Sequence, residues 1–361
     1  MSRSLIPIAV GASLFAGAVN ADVPSVVADI TPIHSLVAQV MQGVGEPSLI
    51  VAPGASAHEY SLRPSEASAL QDADVVFWVG PELTPWLEDA VATLAGDASV
   101  IGLFDLETTT VLPVRENALF EAHDHDHGAG HAEAADHEVH DGHDHASHDD
   151  DHAAQDQHGS EHVHAEETKT QDHDDRAHSG HDEEDHAGHE HAGNDPHAWL
   201  SPKNGAVWLT AIADALASAD PDNAAAYHAN AAAARDELTL LSAEINMVLD
   251  PVRGRNFVVF HDAYQYFEAA FDFPASGAIS VSDASDPSPA RISEIQDHIA
   301  DRNISCVLSE PQFDPGIVSA VVDGSGAQTG VLDPLGADLE PGPEFYRLFL
   351  RRLATSLADC L

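Results

Sequence analysis

Outside one long polar segment, runs of β-branched and aliphatic residues alternate along the chain with segments of helical periodicity. Before that polar segment, the continuous apolar runs lie at residues 26–30, 48–52, 74–80 and 99–104. Residues 32–42, 64–71 and 85–95 have helical spacing of their apolar positions, and each begins with proline, which is favoured in the first turn of a helix. Continuous apolar strands that alternate with helices predict a parallel sheet covered by helices on both faces.

The same alternation returns after the polar segment. A helix is predicted at residues 203–217, and a longer one, about 45 Å in length, at residues 220–250 before Pro251. The later apolar runs lie at residues 256–261, 277–281, 304–310 and 328–333, and a final helix is predicted at 343–357. We therefore predict an α/β fold of two lobes, residues 22–219 and 251–361. Each lobe has a four-stranded parallel sheet flanked by helices, and the single long backbone helix joins them.

The first 21 residues have the pattern of a secretory signal peptide. Arg3 supplies the positive start, residues 5–19 form an apolar core, and Ala21 ends a small-residue cleavage site. The apolar core is shorter than a comfortable membrane span, and no cysteine near the cleavage site offers a lipid attachment point. We expect a mature chain that begins near Asp22 and a periplasmic location.

The polar segment, residues 121–193, contains 19 of the chain's 25 histidines among aspartate, glutamate, glycine and alanine. Because it has almost nothing to pack, we expect it to be a disordered insert of the N-terminal lobe. Its imidazoles and carboxylates are ligands for a divalent cation such as zinc, and the alternative is a solvated acidic insert without a ligand. Representative candidate ligands are His123, His125, His127, His143, His145, His189 and His191.

The charge and the cysteines narrow the possibilities further. A formal charge of −47 argues against nucleic acid and anionic membranes as partners, and we expect a monomer. Cys306 and Cys360 are the chain's two cysteines, and in an oxidising compartment such a pair predicts one disulfide, with two free buried thiols as the alternative. A bridge over this separation would stabilise the fold by roughly 4 kcal/mol.

Three histidines outside the polar segment stand at positions suited to a shared site. His58 follows the second apolar run, His261 ends the fifth, and His197 comes just after the histidine-rich segment. Ligands of open α/β sheets collect beyond the carboxyl ends of the strands, where Asp333 also falls. A single histidine at a strand end is more often simply hydrogen-bonded, so this placement alone leaves both interpretations open.

Six motifs, in order along the chain, carry a resemblance to a known family. They are GASAHEYSLRPSE (54–66), ADVVFWVGPEL (73–83), DPHAWLSPKN (195–204), FVVFHDAYQYF (257–267), SEPQF (309–313) and VLDPLG (331–336). Together with the histidine-rich insert and the two cysteines, this pattern resembles the zinc-specific solute-binding proteins of bacterial ABC importers. The resemblance covers nearly the whole mature chain and implies two β/α lobes joined by one backbone helix.

The resemblance implies that His58, His197 and His261 are the imidazole ligands of Zn²⁺. Manganese-type members usually carry glutamate where His261 stands, and nitrogen donors favour zinc. Asp333 matches the aspartate ligand of other members and is the expected fourth ligand, with a water molecule as the alternative. Some zinc members have a glutamate before the first histidine, where this chain has Ala57, and Glu59 is poorly placed because adjacent side chains rarely reach one ion.

Three further residues are expected to support the site. Glu310 and Asp262 could accept the free N–H of ligating imidazoles and so orient them. His34 opens the first predicted helix near the same strand ends, and we expect it beside the ligands or on the ion's path into the site.

The implied function is a periplasmic, high-affinity zinc receptor that delivers Zn²⁺ to an inner-membrane ABC permease and is not an enzyme. The histidine-rich segment would collect zinc at low affinity. The alternatives are a zinc storage or chaperone protein that acts through that segment, a manganese or iron receptor, and a zinc hydrolase or lyase. The chain has no HExxH motif to favour the hydrolase.

Overall fold

A computed structural model describes residues 23–115, 119, 193–280 and 287–361. The predicted signal peptide and the histidine-rich segment, apart from Gly193, lie outside these residues.

Two four-stranded sheets form the framework of the described chain. The first contains β1 Val26–Ala28, β2 Ser48–Leu49, β3 Val75–Trp78 and β4 Ser99–Gly102, in the order β2-β1-β3-β4. The second contains β5 Phe257–His261, β6 Gly277–Ser280, β7 Cys306–Ser309 and β8 Gln328–Val331, in the order β6-β5-β7-β8. Every pairing in both sheets is parallel.

Helices connect and cover the strands. They are α1 Thr31–Val40, α2 Pro64–Gln71, α3 Pro85–Leu94, α4 Pro202–Ala219, α5 Ala224–Leu249, α6 Gln265–Phe271, α7 Pro289–Asp301, α8 Pro315–Val322 and α9 Phe345–Cys360. The predicted fold class is confirmed, with two parallel sheets flanked by helices and the long helix α5 between them.

The observed elements are shorter than several predicted ones. β2 has only two residues, although Ile50 and Val51 are buried and their N–H groups still donate to Ala28 and Asp29. The apolar pattern of the sequence indicates which residues are buried, and residues beyond the end of the strand are buried too. The pattern therefore predicts a longer strand than the structure has. The predicted helix 220–250 is a short 3-10 turn, then α5, then a second 3-10 turn at Asp250–Val252.

The second sheet is buried on both faces, as its continuous apolar strands require. Phe257 and Val259 belong to the large core that also includes the first sheet, α4 and α5. Val258 and Phe260, which alternate with them, face a separate core under α7 and α8. The larger core runs without a break from the first sheet into the second.

Helix α9 ties the C-terminal part of the chain to both sheets. The predicted disulfide is confirmed, because Cys360 at the end of α9 is bonded to Cys306 in β7, with 5.8 Å between their Cα atoms. At the other end of α9, Tyr346 N–H donates to Ser35 Oγ of α1 at 3.0 Å. The lobes are therefore joined by α9 as well as by α5. The pattern of the sequence does not predict this second connection.

No helix among the described residues is long and apolar enough to span a bilayer.

Candidate metal site

The strand order creates a crevice at the carboxyl edge of the second sheet. Its order reverses between β5 and β7, so the loops that leave these neighbouring strands diverge to opposite faces. His261 is the last residue of β5, and Glu310 follows the last residue of β7. The pairing of the two strands therefore places this imidazole and this carboxylate side by side.

His261 is held by Glu310 through two hydrogen bonds. Its ring atom Nδ1 lies 2.8 Å from Glu310 Oε1, and its backbone N–H donates to the same oxygen at 3.2 Å. Because Glu310 accepts, Nδ1 carries the proton, and Nε2, which lies 3.4 Å from His197 Nε2, is the nitrogen that could donate an electron pair to a metal. Both side chains are buried, so the ring has a fixed orientation.

His197 is held in the same way by Asp195. Its Nδ1 lies 2.7 Å from Asp195 Oδ1, and its backbone N–H donates to that oxygen at 3.0 Å. The second bond closes an Asx turn around Pro196, a local arrangement that Asp-Pro sequences favour. The Trp199 ring packs 5.2 Å from the imidazole, and its indole N–H donates to the Pro334 carbonyl at 2.8 Å.

His58 lies in the loop between β2 and α2. Its backbone N–H donates to Ser56 Oγ at 3.2 Å, and the preceding Ala57 carbonyl accepts from the Trp86 indole at 2.8 Å. At the end of the loop, the Glu66 carboxylate accepts from the Tyr60 hydroxyl and from the backbone N–H at position 63. This loop is therefore fixed at both ends although it has no regular secondary structure.

The three imidazoles converge on one point. His197 Nε2 lies 3.4 Å from His58 Nε2 and 3.4 Å from His261 Nε2. One ring nitrogen from each residue lies within 4.8 Å of the other two. Among the described residues, these histidines are the one group of three or more possible metal ligands that lie this close together. A tetrahedral zinc ion with Zn–N bonds of about 2.0–2.1 Å separates its nitrogen ligands by about 3.4 Å. The two nitrogen–nitrogen distances from His197 fit that ion, and the nitrogens of His58 and His261 lie within 4.8 Å of each other.

The space in front of the imidazoles is small and mostly apolar. It is a cavity of about 20 Å³. Its walls include Leu83, Trp199, Phe313, Pro334 and Leu335. A cavity of this size holds about one ion or water molecule. The apolar walls keep water away from a bound cation, which strengthens its attraction to the ligands.

Burial changes the acidity of the carboxylates behind the rings. It raises the pKa of Asp195 from 3.8 to about 7, and it also raises the pKa of Glu310. The hydrogen bond from the His197 backbone opposes the shift at Asp195, and the charge of His261 opposes it at Glu310. A cation bound at Nε2 of the two rings would favour the ionised form of both carboxylates.

Asp333 is not brought into the group of converging nitrogens. Its Oδ1 accepts from Gln312 Nε2 at 3.1 Å and from the Leu335 N–H at 2.9 Å, and its Oδ2 accepts from the Ala337 N–H at 2.6 Å. These bonds close the loop that carries Pro334 and Leu335 to the cavity. A role as metal ligand requires the carboxylate to share or leave some of them.

The other expected supporting residues are placed differently from one another. Glu310 contacts His261, as the predicted orienting role requires. Asp262 instead accepts hydrogen bonds from the Arg115 guanidinium. His34 Nε2 lies 3.1 Å from the Pro47 carbonyl, and burial lowers the pKa of this imidazole. His34 is outside the group of converging donors.

Two residues that contact this region were not singled out from the sequence. Asp195 stands two positions before His197, and the Asp-Pro-His order was the available signal for its Asx turn. Arg115 is distant in sequence from both residues it binds, Asp262 and Glu268, and nothing local in the sequence indicates that pairing.

The fold and the site together define a class of protein. Two parallel sheets flanked by helices frame three buried or half-buried imidazoles, which have one nitrogen each within 4.8 Å of the others and line a cavity of about 20 Å³. These are the features of a protein that binds a metal ion.

The chain belongs to the family described as zinc-uptake complex component A, periplasmic, whose family model matches residues 26–360. A relative from Brucella abortus, named high-affinity zinc uptake system protein ZnuA, is 44% identical over 337 residues, which cover 93% of this chain and 91% of the relative. A protein of the same name from Paracoccus denitrificans is 41% identical over 346 residues, or 95% of this chain and 93% of the relative.

Solved structures agree with the fold. A crystal structure of ZnuA superposes with a TM-score of 0.65 at 20% identity and covers 94% of this chain and 99% of that one. The periplasmic zinc-binding protein TroA from Treponema pallidum superposes with a TM-score of 0.65 at 19% identity, over 93% of this chain and 98% of the other.

Proposed function

We propose that this protein is a periplasmic, high-affinity zinc receptor that delivers Zn²⁺ to an inner-membrane ABC permease. The observation that carries the proposal is the convergence of Nε2 from His58, His197 and His261 at the spacing of one tetrahedral ion. The family and its relatives, which are named for zinc uptake, supply the transport context.

The donor set favours zinc over harder cations. Three imidazole nitrogens suit a borderline cation, whereas manganese and magnesium prefer oxygen-rich sites. The carboxylates of Glu310 and Asp195 lie behind the imidazoles, because each binds an Nδ1 atom and not the group of converging nitrogens. Asp333 is the proposed fourth ligand, with a water molecule as the alternative.

Binding rather than catalysis is the proposed activity. Three histidines and a water also form a hydrolytic zinc site, but a hydrolase needs room for its substrate beside the metal. A cavity of about 20 Å³, lined by Trp199, Phe313 and Leu335, holds the ion without such room.

The histidine-rich segment is proposed as an accessory collector of zinc. Its ends leave the described core close to the site, because Val114 N–H donates to the Gly193 carbonyl at 3.0 Å, only four positions before His197. Low-affinity ligands there would raise the zinc concentration near the site, and they would release the ion readily to the tighter imidazole cluster.

The test is a zinc titration against a competing chelator, with metal-stripped protein whose residues 121–192 are replaced by a short glycine-rich linker, so that Leu119 and its pairing with Gly277 are kept. The replacement is feasible because residues 114 and 193 are hydrogen-bonded neighbours. We expect one tight site to survive and to vanish in His58→Ala and His261→Ala. His228→Ala, on the exposed face of α5, is the matched control and should keep the site.

Two other outcomes would reassign the function. Loss of all tight binding on removal of the segment would make the protein a zinc store or chaperone that acts through its histidine-rich segment. Displacement of zinc by an equal concentration of manganese or iron would keep the receptor role and change its metal.

A further inference from the structure

The histidine-rich segment joins the core through a short antiparallel pair of chain segments. We call residues 111–115 and 193–195 the stem. Val114 N–H donates to the Gly193 carbonyl at 3.0 Å, and Asp195 N–H donates to the Leu112 carbonyl at 2.9 Å. Pro113 and Asn194 form the bridge between these two bonds. Both sides of the stem belong to the N-terminal lobe, residues 22–219.

Two side chains of helix α6, in the C-terminal lobe, form hydrogen bonds with the stem. The Tyr266 hydroxyl accepts from Leu112 N–H at 2.9 Å and donates to the Asp195 carbonyl at 2.7 Å, so one side chain contacts both strands of the stem. Gln265 Nε2 donates to the Pro113 carbonyl at 3.0 Å. The stem is thus a contact between the lobes as well as the root of an insert.

Arg115 adds the charged part of this contact. Its Nε lies 2.9 and 3.0 Å from the two Asp262 oxygens, and its Nη1 and Nη2 lie 2.9 and 3.0 Å from the two Glu268 oxygens. The Asp262 and Glu268 side chains are only 5% and 7% exposed. Carboxylates this buried need a partner of opposite charge. The planar guanidinium group can donate hydrogen bonds to two carboxylates at once, in a fixed geometry that a lysine ammonium group does not have.

The stem contains or contacts one residue next to each of two converging imidazoles. Asp262 directly follows His261, which ends β5 of the C-terminal lobe. Asp195, within the stem, binds Nδ1 of His197, which belongs to the N-terminal part of the chain. The stem therefore connects the backbone beside one imidazole to the carboxylate behind the other.

We propose that Arg115 is a positioning residue that holds the stem to the C-terminal lobe and so sets the distance between His197 and His261. The proposal rests on the zinc-binding function proposed above. Arg115 contacts Asp262 and Glu268, and its effect on the ion is carried by the alignment of the two imidazoles. Preformed ligand spacing slows the loss of a bound ion, because no ligand leaves without breaking contacts behind it.

The experiment compares zinc dissociation from the full-length protein and three variants, by rapid mixing with a strong chelator. Arg115→Gln removes both the positive charge and the planar guanidinium group, and Arg115→Lys keeps the charge but not the guanidinium group. Arg351→Gln is the matched control, because Arg351 pairs with Glu244 between α9 and α5, away from the imidazoles. We expect dissociation at least tenfold faster in both Arg115 variants and unchanged within twofold in the control.

A spectroscopic readout separates positioning from general stability. Co²⁺ loaded into the tight site reports its geometry through its visible absorption, and we expect weaker, shifted bands in Arg115→Gln but not in Arg351→Gln. A lower Tm in Arg115→Gln with unchanged dissociation and an unchanged Co²⁺ spectrum would make Arg115 an ordinary stabilising residue and overturn the proposal.

Further variants keep the test decisive if Arg115→Gln does not fold. Glu268→Gln removes the charge and one of the two acceptors that Glu268 offers Arg115, and Gln265→Ala removes one hydrogen bond to the stem. We expect an intermediate increase in the dissociation rate in each. Unchanged rates in both would overturn the proposal. A wild-type protein without a tight zinc site would instead refute the proposed function, whereas a tight wild-type site with unaffected variants would refute only the role of Arg115.

Discussion

Two of the three converging imidazoles have a buried carboxylate behind them. Glu310 binds Nδ1 of His261, and Asp195 binds Nδ1 of His197, so in each ring the tautomer leaves Nε2 facing the cavity. The orientation of a metal-ligating imidazole commonly depends on such an acceptor, which also raises the basicity of the ring. His58 is positioned by its loop, through Ser56 and the bond from Trp86 to Ala57.

Loss of the charge behind His261 should weaken zinc binding. In Glu310→Gln an amide oxygen can still accept from Nδ1, but the ring loses the polarisation that an anion provides. We expect zinc affinity to fall about 10- to 100-fold in chelator competition, the usual effect of removing such a partner. Glu294→Gln, on the exposed side of α7, is the control and should bind like the wild type. An unchanged affinity in Glu310→Gln would remove Glu310 from the site.

The fourth ligand can be tested at Asp333. Asn at this position keeps an oxygen that can accept from the Leu335 N–H, but its amide nitrogen cannot accept from the Ala337 N–H, and it has no charge for the ion. If Asp333 completes the tetrahedron, as we propose, Asp333→Asn should weaken zinc binding by at least tenfold in the same titration. An affinity equal to that of the wild type would assign the fourth position to water.

At the scale of secondary-structure elements, α9 and the disulfide hold β7, an inner strand of the second sheet. Cys306 and Cys360 are 54 positions apart, so their bond restricts a long loop in the unfolded chain. In the structure, α9 also reaches α1 through Tyr346 and Ser35, which links this strand to the first lobe.

Removing the disulfide should destabilise the fold without removing the site. We expect Cys306→Ser with Cys360→Ser to lower the free energy of unfolding by about 4 kcal/mol, from the loop-closure entropy restored to the unfolded chain. Urea unfolding of the double variant, and of the wild type with and without a reductant, measures the effect. Zinc affinity should change less than twofold, because neither cysteine contacts the cavity, and a large loss of affinity would contradict this separation of roles.

At the scale of the whole molecule, buried carboxyl groups link stability to pH. Burial raises the pKa of Asp29 from 3.8 to about 7, although N–H groups of Ile30 and Val79 donate to its oxygens. Its contribution to stability is therefore fully present below pH 3.8 and is lost as the pH rises through about 7, because the unfolded chain releases this proton earlier.

The metal-free protein should accordingly become less stable as the pH rises from 5 to 8. Between pH 5 and 8, a carboxyl whose pKa is raised from 3.8 to about 7 contributes at most roughly 3 kcal/mol to this change. Urea unfolding in the presence of a chelator measures it, and Asp29→Asn, which cannot ionise, should show a smaller slope. Zinc affinity should change in the opposite direction, since ligation requires neutral imidazoles. A slope in Asp29→Asn equal to that of the wild type would contradict the assignment to Asp29.

The sequence predicted the chemistry of the site better than its geometry. His58, His197 and His261 follow from strand ends and from motifs of a zinc-binding family, because each motif is a local run of residues. The pairing of Arg115 with Asp262 and Glu268 joins positions about 150 apart in the chain. No local pattern encodes such a contact, and Asp262 was accordingly expected beside an imidazole.

The sequence by itself determined the alternation of strands and helices, the parallel sheets, the disulfide and the donor types. These features depend on residue type and short-range periodicity, both of which can be read directly from the sequence. Only the tertiary structure decided the lengths of the strands, the tie of α9 to both lobes, the 3.4 Å spacing of the nitrogens and the contact of the stem with α6. Those features arise where segments remote in sequence pack together, and their distances are set by the packing and not by any one segment.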